Sequence, residues 1–123
     1  MATVVLVDDD ALTIRRVADA LPRDMVYPCL NLDALRATLR IIVPDVVMTD
    51  VRGVGGCDAA EVVRDVRGIL DAYARSIPLV VHSAMDPREI ERVRVGLHDT
   101  YALPKPCTND RLRAMLWTVT EGD

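Results

Sequence analysis

Five times along the chain a short, nearly unbroken apolar run gives way to a stretch with helical spacing. The runs are TVVLV at 3–7, MVYPCL at 25–30, DVVMT at 45–49, PLVVH at 78–82 and TYAL at 100–103. Runs this short, apolar without alternation, read as strands buried on both faces. After the first run, Ala11, Ile14, Val17, Ala18 and Leu21 recur at helical spacing until Pro22 stops them. Asn31 caps a second helix over 32–42, and a third spans 58–74. Asp86-Pro87-Arg88-Glu89 opens a fourth that reaches Val95 and is closed by Gly96. Thr108 caps a fifth that extends to Thr120. Strand and helix alternating through short connections imply a parallel sheet with helices on both faces.

The prolines order the strands. Pro28 lies within the second run and Pro104 abuts the fifth. Proline cannot donate to a sheet ladder, so these two strands belong at the edges. The order 2-1-3-4-5 puts them there, giving a flavodoxin-like (βα)5 doubly wound α/β fold with five parallel strands. Half of the 123 residues are apolar, enough for a core without disulfides. No linker or repeat interrupts the pattern, so residues 1–120 read as one domain and 121–123 as a tail.

Several classes of function fall away. The net charge is −4, with no basic stripe for nucleic acid. No apolar run approaches the roughly 20 residues of a membrane span, and the start lacks the basic region of a signal peptide. Cys29, Cys57 and Cys107 are odd in number and far apart, which reads as reduced thiols in a cytoplasmic protein.

In open parallel sheets, ligands bind beyond the carboxyl ends of the strands. Here the first strand ends in Asp8-Asp9, the third in Asp50 and the fourth in Ser83, and the fifth leads to Lys105. Packing requires no such set. Carboxylates gathered together repel unless a cation sits among them, and Mg2+ suits oxygen ligands that also face phosphate. A carboxylate in that setting can attack phosphorus to give an aspartyl phosphate. Lys105 is the one lysine beside fourteen arginines. A compact ammonium reaches between two acids where a planar guanidinium fits poorly.

With these motifs in view, the sequence resembles the response-regulator receiver domain of two-component signalling over essentially its whole length. The resemblance is carried by VVLVDDD at 4–10, DVVMTD at 45–50, PLVVHSA at 78–84 and LPKP at 103–106, in order and at the ends of the right strands. It implies Asp50 as phosphoacceptor and Asp8 and Asp9 as the acid pair for Mg2+, with Asp50 and the Arg52 backbone carbonyl as further ligands. Ser83 would bond a phosphoryl oxygen, Lys105 would pair with the acceptor, and the Lys105–Pro106 bond would be cis. It further implies a phosphodonor that is a sensor histidine kinase or histidine phosphotransfer protein, met by Arg15 and Arg16. The implied role is signalling, with no enzyme activity beyond the domain's own phosphorylation and dephosphorylation. A homodimer through the fourth-helix to fifth-helix face is the implied self-contact, with Trp117 beside it.

The sequence departs from the family in three places. Val54 stands where proline is usual, and the VRGVGGCD loop is one residue longer. Arg52 and Met85 occupy the two positions that tune water attack, and neither can act as a base, which predicts slow self-dephosphorylation. The switch aromatic belongs three residues before the lysine, where Ala102 stands; Tyr101 is one place early and points to the other sheet face unless a bulge intervenes. His82 reads as a locally hydrogen-bonded residue and His98 as a solvated one. Two other readings compete: a pseudo-receiver that binds without phosphorylation, and a small haloacid-dehalogenase-like phosphatase suggested by the DxD of Asp8 and Asp10. The latter leaves Asp50 unexplained.

Overall fold

The computed structural model describes residues 1–51, 58–73 and 76–121. Its elements run β1 (Thr3–Val7), α1 (Ala11–Ala20), β2 (Met25–Cys29), α2 (Leu32–Leu39), β3 (Val46–Thr49), α3 (Ala59–Asp71), β4 (Leu79–Val81), α4 (Pro87–Arg94), β5 (Thr100–Ala102) and α5 (Asn109–Thr120). The five strands are parallel and lie in the order β2-β1-β3-β4-β5, as the prolines require.

The two-residue period of the strands divides the core. Val5, Val7, Val47, Leu79 and Val81 face one way, against Leu35, Val63, Val66, Leu70 and Ile90 of α2, α3 and α4. Val4, Leu6, Val46, Met48 and Val80 face the other, against Val17 and Ala20 of α1 and Leu112 and Leu116 of α5. Strands filled on both faces need apolar residues at every position, which is why the runs do not alternate.

Each helix starts on a side-chain cap. Asp10, Asn31, Asp58, Asp86 and Thr108 accept the backbone N–H of Leu12, Ala34, Glu61, Arg88 and Arg111. Gly96, at φ +87°, turns the chain after α4. The elements are a little shorter than the sequence pattern suggests. α2 stops at Leu39 rather than 42 because Arg40 and Ile41 donate to carbonyls three residues back, at Ala37 and Thr38. The chain is then steered out of helix by Val43, which precedes Pro44. α3 ends at Asp71, short of the expected 74. Among the described residues no helix is long and apolar enough to cross a membrane.

The pole of the sheet opposite the carboxyl ends is held by an arginine. Arg67 of α3 is 2% exposed. Its guanidinium donates to Asp71 Oδ1 at 3.0 Å, to the Ile77 carbonyl at 2.7 Å and to the Asp99 carbonyl at 3.0 Å. Asp99 has φ +48°, a left-handed conformation that Asp tolerates better than most residues. Burial pushes the Asp71 carboxyl up, but the His98 hydrogen bond and the Arg67 charge outweigh it and hold the group below its usual value.

A buried cation that serves several carbonyls is costly to remove, because its partners stay behind unpaired. Arg67→Ala is expected to cost about 3 kcal/mol in urea unfolding. Arg36→Ala, which cuts the exposed pair with Asp33, is expected to cost under about 0.5 kcal/mol. Equal losses at the two positions would show that burial is not what matters at Arg67.

Candidate functional site

The site lies where β1, β3, β4 and β5 end. The ladder continues one step past each strand: Asp8 N–H donates to the Cys29 carbonyl, Asp50 to Val7, His82 to Thr49 and Leu103 to Val81. These rungs fix the residues that follow the apolar runs, so side-chain position at the rim is set by backbone pairing in the core.

Asp8 is 1% exposed and Asp50 is 9% exposed. Between them stands the Lys105 ammonium. Its Nζ donates to Asp8 Oδ2 at 3.1 Å, to Asp50 Oδ2 at 3.2 Å and to Thr13 Oγ1 at 3.3 Å, using all three of its protons. The other carboxylate oxygens are engaged too. Asp8 Oδ1 accepts from Asp10 N–H at 2.8 Å, and Asp50 Oδ1 from Val51 N–H at 2.7 Å. Asp9 is exposed beside this group.

Lys105 is delivered by the turn after β5. Its N–H donates to the Ser83 carbonyl at 2.8 Å, which ties that turn to the end of β4, and the Lys105–Pro106 peptide is cis as expected. Ser83 is fully buried, and its Oγ accepts from Met85 N–H at 3.2 Å. The expected residues Asp8, Asp50 and Lys105 therefore meet directly, with Asp9 and Ser83 on the same rim. Arg52, Val54 and Cys57 lie outside the described residues.

The donor set bears on a metal. Lys105 supplies one positive charge against three carboxylates, two of them buried. Carboxylate oxygens gathered at one rim are the donors that a hard cation takes. Among the described residues no three His, Cys, Asp or Glu side chains close into a cage for an ion. Mg2+ fits such an open set, because it keeps several waters and binds through one or two carboxylates rather than an all-protein shell.

Three expectations about neighbouring residues resolve. Tyr101 pairs with Val80 and Ala102 with Val81, in unbroken parallel register. With no bulge in β5, Tyr101 packs on the α1–α5 side and Ala102 on the α2–α3–α4 side. The aromatic is therefore on the opposite face from the usual switch position. His82 is hydrogen-bonded locally as expected, its Nδ1–H donating to the Leu103 carbonyl at 2.7 Å. Burial pushes its ring below the usual histidine value. His98 is exposed but does have a partner, Asp71, at 2.8 Å. Thr13 and Asp10 join the site unforeseen; Thr13 Oγ1 donates to Asp10 Oδ2 at 3.0 Å while meeting Lys105. Only the i, i+3 spacing from Asp10 hinted at this.

Charge balance at the rim is open to measurement. Lys105→Met leaves two buried carboxylates without their shared cation and is expected to lower the melting temperature by several degrees, a loss of about 2 kcal/mol. Adding Asp8→Asn to that variant is expected to restore most of it. A double variant no more stable than Lys105→Met would place the loss in packing instead.

No family model matches the sequence, and no curated protein matches it either. Solved structures do. The chemotaxis response regulator CheY4 of Vibrio cholerae is 22% identical, with a TM-score of 0.78 over 97% of this chain and 98% of that one. The signal receiver domain of a signal transduction histidine kinase from Syntrophus aciditrophicus is 21% identical, with a TM-score of 0.77 over 99% of this chain and 92% of that one. The receiver domain of the Francisella response regulator 1452 is 16% identical, with a TM-score of 0.73 over 98% of both chains. At these identities the likeness is one of fold, and the fold of this chain is that of the response-regulator receiver domain.

Proposed function

We propose that residues 1–120 act as a phosphoryl-accepting receiver domain in two-component signalling. One observation carries the reading: two buried carboxylates, Asp8 and Asp50, share the ammonium of the sole lysine at the ligand-binding rim of this fold. Burying charged groups costs stability, so packing alone gives no reason to gather them at this rim. The arrangement makes sense as a site kept ready for a cation and a phosphoryl group.

In this reading an Asp50 carboxylate oxygen attacks the phosphorus of a phosphohistidine. The O–P bond forms as the P–N bond breaks, and the imidazole leaves on the kinase or phosphotransfer protein. Val51 N–H and Lys105 hold the attacking carboxylate in one orientation, so little reorganisation accompanies the attack. Asp8 stays in place through Asp10 N–H and Lys105. Mg2+ held by Asp8, Asp9, Asp50 and the Arg52 carbonyl would neutralise charge on the phosphoryl oxygens. Ser83 would turn its hydroxyl to a phosphoryl oxygen and draw its loop inward, changing the partner-binding surface. The domain works in the cytoplasm as a signalling module and turns over no separate substrate.

The position of Tyr101 favours a second reading, a pseudo-receiver, because the ring that usually follows the Ser83 movement faces the other side of the sheet. Incubation with Mg2+ and acetyl phosphate, followed by intact mass measurement, separates the two. The receiver reading expects an added phosphoryl group, lost in Asp50→Ala, and an adduct that outlasts minutes because Arg52 and Met85 supply no base. No adduct on the unaltered chain supports the pseudo-receiver. An adduct that persists in Asp50→Ala assigns the acceptor elsewhere.

A further inference from the structure

Lys105 has a support beneath it that the chemistry above does not use. His82 immediately precedes Ser83 and is 6% exposed. Its Nδ1 lies 2.7 Å from the carbonyl of Leu103, two residues before Lys105. A carbonyl oxygen only accepts, so Nδ1 carries a proton. Burial disfavours a second proton on the ring, which leaves Nε2 with a bare lone pair.

Among the described residues Nε2 has no partner. Yet no sealed side-chain nitrogen or oxygen among them lacks one, so Nε2 opens onto solvent-sized space. The space the ring lines is a small cavity between α1, α5 and the β5–α5 turn, of about 20 Å³, bounded also by Thr13, Arg16, Lys105 and Cys107. That is room for one water, and the walls are polar enough to hold it. One of those walls is Thr13, whose hydroxyl the ammonium touches at 3.3 Å.

We propose that His82 is a positioning residue for Lys105: Nδ1 holds the turn at the Leu103 carbonyl, and Nε2, through one water in this cavity, holds the Thr13 hydroxyl against which the ammonium is set. The ring thus fixes Lys105 from two directions, along the chain and across the cavity. Removing the Nε2 half alone leaves the Thr13 hydroxyl held by Asp10 alone and loosens the third contact of the ammonium. The inference rests on the receiver reading for its effect on rate, but not for its effect on Lys105 itself.

Three variants test it. His82→Asn keeps an amide N–H for the Leu103 carbonyl and loses Nε2. Thr13→Val keeps the volume and loses the hydroxyl. The third combines them. Because Lys105 is the only lysine, lysine-selective isotope labelling gives one side-chain NMR signal to follow at fixed neutral pH. Both single variants are expected to move that signal in the same direction, and the double variant to move it no further. The rate of adduct formation from acetyl phosphate is expected to fall about tenfold in each single variant and about tenfold, not a hundredfold, in the double. A Lys105 signal unchanged in both single variants, a rate unchanged although the signal moves, or rate losses that multiply in the double variant would each overturn the proposal. If the unaltered chain takes up no phosphoryl group, the receiver reading fails, and the lysine signal alone then decides the role of His82.

Discussion

The structure turns on one ammonium placed between two buried carboxylates. Desolvating a charge costs several kcal/mol, and two like charges in one site cost more. Lys105 offsets part of this by spending its three protons on Asp8, Asp50 and Thr13. The rest of the fold supplies the geometry. β1 and β3 bring the acids side by side, because Val7 pairs with Thr49 and each acid follows its strand without a gap. β4 and β5 bring the base, because the Ser83 carbonyl takes the Lys105 N–H. A slip of one residue in either pairing would turn a charged side chain into the apolar core.

Much of this was legible in the sequence, and for a physical reason. Strands buried on both faces leave no alternation to misread, and proline can stand only at a sheet edge. The five runs and Pro28 and Pro104 therefore gave the order β2-β1-β3-β4-β5 before any coordinate. The acids and the lysine were legible because each directly follows a run, and in a parallel sheet all such positions share one rim. Counting back from Lys105 left the face of Tyr101 hanging on whether β5 carries a bulge, and only the unbroken pairing of β4 with β5 decides it.

Other features were hidden because they depend on contacts between distant segments. Arg67 looks like any of fourteen arginines, and nothing in its helix says that it is 2% exposed. Its partners Ile77 and Asp99 offer backbone carbonyls, which sequence does not distinguish. Thr13 reads as a polar interruption of an apolar stripe until Lys105, 92 residues away, arrives beside it. Helix ends were blurred for a local reason, as at Arg40 and Ile41, where the last turn tightens before Pro44.

Arg67 and Lys105 divide the labour of the sheet between its two ends. Arg67 is a planar donor among backbone carbonyls, and each of its bonds is to backbone or to one acid. It locks the α3–β4 and α4–β5 connections together. Lys105 is a rotatable point charge on a flexible stem, facing two buried acids. One pole is satisfied as it stands. The other gathers its buried charges at one rim, where a local change need not loosen the rest of the fold. Tyr101 stands on the α1–α5 side and Ala102 on the α2–α3–α4 side, while the Leu103–Lys105 turn, bonded to the Ser83 carbonyl, leads into α5. The turn that carries Lys105 is thus seated against α1 and α5, the two helices that also line the cavity beside His82.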